Sequence, residues 1–468
     1  MDITLTLTDR FHDRLEEHLF PGDGREAAAI LLCGRRAGKE RHRLLAREVH
    51  PIPHEACSER TPVRVTWPTD LIAPLLDRAE AEGWTVVKVH SHPGGCAAFS
   101  ETDDAGDARL MPAIRDWIDG DFLHVSAIML PGGRMFGRAL LDDGRYVPLS
   151  HINIVGDDLY FWHTEPARAV PEFATSHAQA FGEGTFDRLS HLSIAVVGCS
   201  GTGSPVVEQL ARLGVGELVL VDDDVIEERN INRILNATMD DVRAGRFKVD
   251  MLADAVRRMG IGTRVRPIPT SLWEPEAVRA VAGCHAVFGC MDTVDGRYLL
   301  NTLATFYLLP YIDIGVRLIA VPDGPRRGEI VEVCGSVHTL KPGGSSLLSR
   351  GLFDLKAVRD AGLVRTDPEA HAQQVKDGYI DGVAVRRPAI ISLNMQLAAL
   401  AANEFLARLH PFREEPNSAY DHVEVSLASM EMFWERHTDP CAILAGDVGK
   451  GDRRLLLDMP ELSEAERP

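Results

Sequence analysis

The run Leu192 to Val197, apolar except for Ser193, breaks at Gly198-Cys199-Ser200-Gly201-Thr202-Gly203-Ser204 and passes directly into a helical pattern that reaches Leu213. A strand that turns on glycines straight into a helix is the opening of a β-α-β unit, and that connection confines the downstream chain to a crossover architecture. The remaining sequence obeys this constraint. Glu217 to Val221, Val265 to Ile268, His285 to Cys290 and Tyr311 to Gly315 read as strands, separated by helical patterns at Val242 to Arg258 and Arg297 to Leu308. The alternation predicts a mostly parallel sheet with helices on both faces. Leu340 to Ala384, opening on Pro-Gly-Gly-Ser-Ser, reads as a long irregular insertion before a helix over Ile390 to Leu409.

The chain ahead of this unit has its own signals. Ala27 to Cys33 and Trp84 to Val89 read as buried strands, and Asp70 to Glu82 has helical spacing, which predicts a separate α/β unit. A length of 468 residues also exceeds one ordinary core. The expected division is an α/β domain over 1–150, a Pro-, His- and aromatic-rich linker over 151–184, a nucleotide-type domain over 185–450 and a tail over 451–468.

Acidic side chains number 69 against 50 basic ones, a formal charge of -19. That balance repels phosphate backbones and argues against non-specific nucleic-acid binding. No apolar run is long enough for a membrane helix, and the first residues lack the pattern of a secretory signal. Eight cysteines are scattered without a Cys-x-x-Cys pair, as expected of reduced thiols in the cytoplasm.

The segment HSHPGGCAAFSETDD places His90 and His92 two apart, where an extended strand end aims both imidazoles to one side. The turn at Pro93, Gly94 and Gly95 would bring Asp103 back as a third ligand, leaving a fourth position for water, the arrangement of a catalytic zinc. A base must then take the water's proton and deliver it to a leaving amine. Glu26 opens the apolar stretch EAAAILLCG, where a carboxylate is costly unless it has such a task, and Ser100 could donate to an oxyanion. Glu26, His90-Ser91-His92, the seven residues Pro93 to Phe99, and Ser100-x-x-Asp103 together resemble the JAMM motif of the JAB/MPN metalloproteases. The resemblance covers about the first 140 residues. It implies a cytidine-deaminase-like α/β fold, catalytic zinc, and a peptidase or isopeptidase acting beside the C-terminal glycine of a ubiquitin-like protein.

In the second unit, the spacing Gly198-x-x-Gly201-x-Gly203 differs from the dinucleotide pattern Gly-x-Gly-x-x-Gly, so a nicotinamide cofactor is not implied. Glycines before a helix N-terminus still suit phosphate. Asp222, 19 residues past Gly203, stands near the distance at which a carboxylate holds ribose hydroxyls. Asn230, Arg233 and Lys248 come next, then Asp292 at the end of a later strand. Two cations and a carboxylate directed at the glycine turn suit ATP with Mg²⁺. The set Gly198, Gly201, Gly203, Asp222, Asp224, Asn230, Arg233, Lys248 and Asp292 resembles the adenylation domain of ThiF-type and ubiquitin-activating enzymes, which has a Rossmann-like fold. That resemblance implies attack of a C-terminal glycine carboxylate on the α-phosphate of ATP. It marks Arg297 and Asn301 as structural, and it implies a homodimer.

Two features depart from that family. Its paired Cys-x-x-Cys zinc ligands are represented by Ser346-Leu347-Leu348-Ser349 and by Cys441 with Leu444. No cysteine lies between Gly335 and Pro440, where relatives carry a thioester cysteine, so the adenylate is expected to pass to a separate, conjugating-enzyme-like acceptor. The joint expectation is a bifunctional enzyme acting on a ubiquitin-like or sulfur-carrier-like protein that ends in glycine. The alternatives are processing and activation of a sulfur carrier for thiocarboxylate formation, adenylation of a peptide, and a binding scaffold with one inactive site.

Overall fold

A computed structural model describes residues 1–321, 329–376 and 390–462. They form two units: Met1–Ala167 with Phe306–Leu308 and Asp447–Asp458, and then Arg168–Thr305 with Leu309–Gly446 and the residues from Met459 on.

The first unit runs β1 (Asp2–Thr8), α1 (Asp9–Leu19), β2 (Ala28–Arg36), β3 (Arg41–Pro51), β4 (Glu59–Thr61), β5 (Arg64–Thr66), α2 (Ala73–Glu82), β6 (Thr85–Ser91), α3 (Glu101–Trp117), β7 (Val125–Met129), β8 (Met135–Leu140), β9 (Tyr146–Pro148), β10 (His151–Val155) and β11 (Leu159–His163). Nine of the strands make one sheet in the order β11-β10-β1-β3-β2-β6-β7-β8-β9, and β4 and β5 pair apart from it. The central strand β2 is buried on both faces, which is why it reads as an unbroken apolar run. Ala29, Leu31 and Cys33 pack with Leu15 and Leu19 of α1, whereas Ala28, Ile30 and Leu32 pack with Leu76 of α2 and Met111 and Ile114 of α3. Helices therefore cover both faces. Antiparallel pairing of β2 with β6 sets Ala28 opposite His90 and so brings the start of β2 to the histidine end of β6.

The second unit continues with α4 (Thr175–Phe181), α5 (Glu183–His191), β12 (Ser193–Val197), α6 (Gly203–Arg212), β13 (Glu217–Val221), α7 (Met239–Arg243), α8 (Lys248–Met259), β14 (Arg264–Ile268), α9 (Pro275–Ala282), β15 (Ala286–Gly289), α10 (Val294–Phe306), β16 (Tyr311–Val321), β17 (Glu329–Leu340), α11 (Leu355–Thr366), α12 (Pro368–Lys376), α13 (Ile391–Leu409), β18 (His422–Ser426) and β19 (Glu431–Glu435). Its sheet has the order β14-β13-β12-β15-β16-β17-β18-β19. The first five strands are mutually parallel and the last three are added antiparallel. This is the mostly parallel, Rossmann-like sheet expected. Strand order reverses between β12 and β15, and such a reversal opens a crevice at the carboxyl ends of the two strands. No helix among the described residues is long and apolar enough to cross a membrane.

Several boundaries differ from the sequence-based expectation. The supposed linker 151–184 begins with two strands of the first sheet: β10 pairs in parallel with β1, and β11 pairs with β10. The supposed tail from 451 does not stand alone, because Asp447–Asp458 belongs to the first unit. Gly451 there makes a parallel bridge to Arg35 on β2. The helix expected over Val242 to Arg258 is two helices, parted at Gly245, whose φ of +59° no helix accommodates. The insertion Leu340 to Ala384 contains α11 and α12, and its last residues, 377–384, lie outside the described residues.

Candidate functional site

His90 sits near the end of β6 and His92 just past it. Asp103 lies in the first turn of α3, where Ser100 is the N-cap. The serine Oγ accepts from the Asp103 amide at 3.2 Å and donates to its carboxylate at 2.7 Å, and the Ser100 amide donates to that same oxygen at 2.7 Å. This capping box places the carboxylate against both imidazoles. His90 Nε2 is 2.9 Å from Asp103 Oδ1, His92 Nε2 is 3.3 Å from Oδ2, and the two Nε2 atoms are 3.2 Å apart. Tetrahedral zinc with nitrogen and oxygen ligands near 2.0–2.1 Å has ligand-to-ligand edges of about 3.3 Å, so the spacing of the two Nε2 atoms from each other and from the carboxylate, which meets His90 through Oδ1 and His92 through Oδ2, suits three ligands of one such shell. His92 Nδ1 donates to the Cys96 carbonyl at 2.9 Å, so the neutral ring presents Nε2 as its unprotonated, metal-binding face. Burial pushes His90 down to about 4, keeping it in the neutral form that binds metal. Burial opposes ionisation of Asp103, yet the two imidazoles hold its carboxyl well below the usual carboxylate range.

Glu26 is buried two residues before β2, with Oε1 3.9 Å from His92 Nε2. Its backbone is tied to the β4–β5 hairpin, since Glu26 N donates to Thr61 O at 2.8 Å and Arg60 Nε donates to Glu26 O at 2.9 Å. Burial pushes its carboxyl up to about 7, the range in which a carboxylate can both take and return a proton. A cavity of about 90 Å³ opens beside it, reached by Arg64, Trp67, Lys88 and His90.

Lys88 was not among the expected site residues. It stands two positions before His90 on β6, and its ammonium donates to Asp107 Oδ1 at 2.5 Å in the core. Asp107 also accepts from Ser126 Oγ at 3.0 Å and from Arg138 Nη2 at 2.6 Å. Asp107 lies one helical turn beyond Asp103, so the network fixes α3 against the sheet behind the histidines. A lysine within the apolar stretch TVVKVH was the signal available in the sequence.

In the second unit the glycine turn joins β12 to α6. Gly198 has a φ of +89°, and a Cβ on Gly203 would lie 1.8 Å from the Gly198 carbonyl, so the turn closes only with hydrogen at those positions. A Cβ on Gly201 would meet Asn394 Nδ2 at 2.4 Å and Arg233 Cδ at 3.0 Å, which places both side chains beside the turn. Asn394, on α13, was not anticipated. Asp222 at the end of β13 accepts from the Cys199 amide in the turn at 2.7 Å and from the Asp224 amide at 3.0 Å. Lys248, buried at the start of α8, faces Asp222 Oδ1 at 3.4 Å and hydrogen-bonds Asp224. Burial would lower the lysine's pKa, but the two carboxylates raise it, so it remains charged.

Asn230 Oδ1 accepts from the Glu227 amide at 2.9 Å and closes the turn that carries Arg233. Asp292 is exposed and lies just past β15, two residues beyond Cys290, whose carbonyl abuts Gly198. Arg297 pairs with the buried Asp313, and Asn301 accepts from the Leu347 amide at 2.9 Å, so both hold structure. Ser346 and Ser349 bond each other's amides at 2.8 and 3.0 Å, and the Cys441 amide donates to Gly344 O at 2.9 Å. Burial pushes the thiols of Cys199 and Cys290 up, and that of Cys334 up to about 11.

These arrangements define a two-part class: an α/β unit with a His-His-Asp metal-type triad, followed by a Rossmann-like unit with a glycine turn at its strand-order reversal. Residues 174–441, more than half of the chain, match the ThiF family, and the chain belongs to it. Residues 8–140 match the prokaryotic homologs of the JAB domain. The SAMP-activating enzyme E1 of Haloferax volcanii is 36% identical over 144 residues, which is 30% of this chain and 53% of that protein. The adenylyltransferase and sulfurtransferase MOCS3 of Mus musculus is 39% identical over 115 residues, 24% of either chain. This chain thus spans about half the length of the first relative and about a quarter of the second. Among solved structures, E. coli MccB with succinimide is similar at a TM-score of 0.44 and 17% identity, covering 58% of this chain and 73% of that one.

Proposed function

We propose that the chain is a bifunctional enzyme of a ubiquitin-like system. The first unit is a zinc-dependent peptidase that cuts after a C-terminal glycine, and the second adenylates that C-terminus with ATP. The observation that carries the reading is the convergence of His90, His92 and Asp103 on one point with Glu26 beside it, in a chain whose other unit belongs to the ThiF family.

His90, His92 and Asp103 would hold zinc, whose chemistry is to polarise a carbonyl and acidify a water. Glu26 takes the proton as the water oxygen bonds to the carbonyl carbon, and returns it to the amine nitrogen as the C–N bond breaks. Ser100 caps α3 and orients Asp103, and its hydroxyl, beside the metal ligands, would also donate to the oxyanion. In the second unit, Asp222 and Asp224 bind the ribose side of ATP and the glycine turn receives its phosphates. Arg233 and Lys248 neutralise charge as a glycine carboxylate oxygen bonds to the α-phosphorus and the bond to the β-phosphate oxygen breaks. Asp292 would hold Mg²⁺, whose charge would stabilise pyrophosphate as leaving group. High-pKa thiols at the buried Cys199 and Cys334 and the partly buried Cys290 favour handing the acyl group to a separate acceptor.

Likeness to MOCS3, named for both adenylyl and sulfur transfer, favours a second reading in which the tag is a sulfur carrier and sulfide sulfur displaces AMP. ATP-pyrophosphate exchange with purified proteins ending in glycine tests both. Exchange that needs the tag and fails in Asp292→Ala but survives Glu26→Ala supports activation separate from cleavage. No exchange with any tag removes the adenylation half of the proposal. Trapping a thioester on this chain would refute transfer to a separate acceptor.

A further inference from the structure

The antiparallel edge of the second sheet gathers metal-binding side chains that neither site uses. His338 on β17 lies opposite His422 on β18, which lies opposite Glu435 on β19. Side chains two apart on an extended segment share a face, so His437, just past β19, joins them. Glu435 Oε2 is 3.7 Å from His437 Nε2 and 3.9 Å from His422 Nδ1, and one donor atom from each of the three lies within 4.8 Å of the others. The His437 Nε2 that faces Glu435 is shielded from solvent and has no hydrogen-bond partner, a costly state for an imidazole nitrogen; His422 turns its Nδ1 to Glu435 and its equally orphaned Nε2 towards Glu424. His338 stacks on His422 with ring centres 4.1 Å apart and planes 11° from parallel, which fixes the orientation of that ring.

The surrounding charge favours a cation. Glu424 Oε2 lies 3.8 Å from His422 Nε2, and Asp421 accepts from the His437 amide at 2.8 Å. Against these two carboxylates and Glu435 stands the Arg350 guanidinium, whose N–H groups are directed at the Thr339 and Asp421 carbonyls and at His338 Nδ1. We propose that His422, Glu435 and His437 bind a divalent transition-metal ion of the Zn²⁺ class, tying β18 to the segment just past β19. Two imidazoles and a carboxylate are a donor set that zinc accepts. The 3.7 and 3.9 Å separations exceed a tetrahedral edge of about 3.3 Å by roughly half an ångström, a movement within reach of the mostly exposed Glu435 side chain, and closing the His422–His437 edge, whose ring centres are 6.3 Å apart, requires the segment past β19 to draw in as well.

The test uses the full chain carrying His90→Ala and His92→Ala, which removes the ligands of the first unit. Equilibrium dialysis against Zn²⁺ should then give one bound equivalent, and Co²⁺ should develop visible absorption bands of nitrogen and oxygen ligation. Adding His422→Gln and His437→Gln should abolish both signals, and Glu435→Gln, on an exposed side chain, should weaken Zn²⁺ binding at least tenfold. No Zn²⁺ bound by the His90→Ala, His92→Ala protein, or an equivalent that survives loss of His422 and His437, overturns the proposal. Should the His422→Gln, His437→Gln protein fail to fold, the Glu435→Gln affinity decides the matter: an unchanged value overturns it.

Discussion

Asp107 is wholly buried and neutralises two cations, Lys88 and Arg138, behind the histidines of the first unit. Replacing it with Asn leaves Lys88 without its carboxylate and Arg138 with Asp104 alone, and breaking a buried pair in this way costs about 3–5 kcal/mol. Denaturant unfolding at neutral pH should show a loss of that size. Burial alone would raise this carboxyl's pKa, but Lys88 and Arg138 more than offset it, so the folded value lies below the unfolded one near 3.9. Its stabilisation is therefore complete above the unfolded value and lost as pH falls through the folded value. The stability gap between wild type and Asp107→Asn should narrow as the medium is acidified below about pH 4. At Glu26 the expected outcome differs in kind: Glu26→Gln should retain its zinc while hydrolysis of a glycine-linked substrate falls by about 10²–10⁴-fold. His90, His92, Ser100 and Asp103 were legible in the sequence because the turn and cap that gather them are local. Lys88, Asp107 and Arg138 were not, since their pairing spans 19 and 31 positions and depends on a register that no short window contains.

At the scale of elements, the turn between β12 and α6 is the least tolerant connection in the second unit. A Cβ at Gly203 would sit 1.8 Å from the Gly198 carbonyl, so Gly203→Ala should force the turn open. Pyrophosphate exchange in that variant should fall to background, while zinc content and glycine-bond hydrolysis stay at wild-type levels. The central parallel strands were readable because burial on both faces leaves continuous apolar runs such as Leu218 to Val221. The added edge was not. β19 reads Glu-Met-Phe-Trp-Glu, exposed throughout, and its three apolar residues are too few for the run of a buried strand and do not alternate as a half-buried one does. β10 was obscured by the Pro, His and aromatic residues around it, although its own five residues are buried.

For the molecule as a whole, the two proposed chemistries require different metals, and this makes them separable. 1,10-Phenanthroline, which removes zinc and leaves Mg²⁺, should abolish hydrolysis and spare pyrophosphate exchange in the same sample. Fusion of the two activities would raise the effective concentration of a freshly cut tail at the adenylation site, and it would do so through linkage alone. The division into two α/β units was legible from the change in pattern near Leu192, whereas the return of Asp447–Asp458 to the first unit left no local trace. There, the Asp452 amide donates to Arg35 O at 2.6 Å, Ala37 donates to the Asp452 carboxylate at 2.7 Å, and Gly34 has room only for hydrogen beneath the Gly449 carbonyl. Synthesis runs from the N-terminus, and domains generally fold in that order. Here the strands of Met1–Ala167 cannot complete their surface until residue 458 has left the ribosome, so the folding of that unit waits on a segment made only after most of the other unit has been translated.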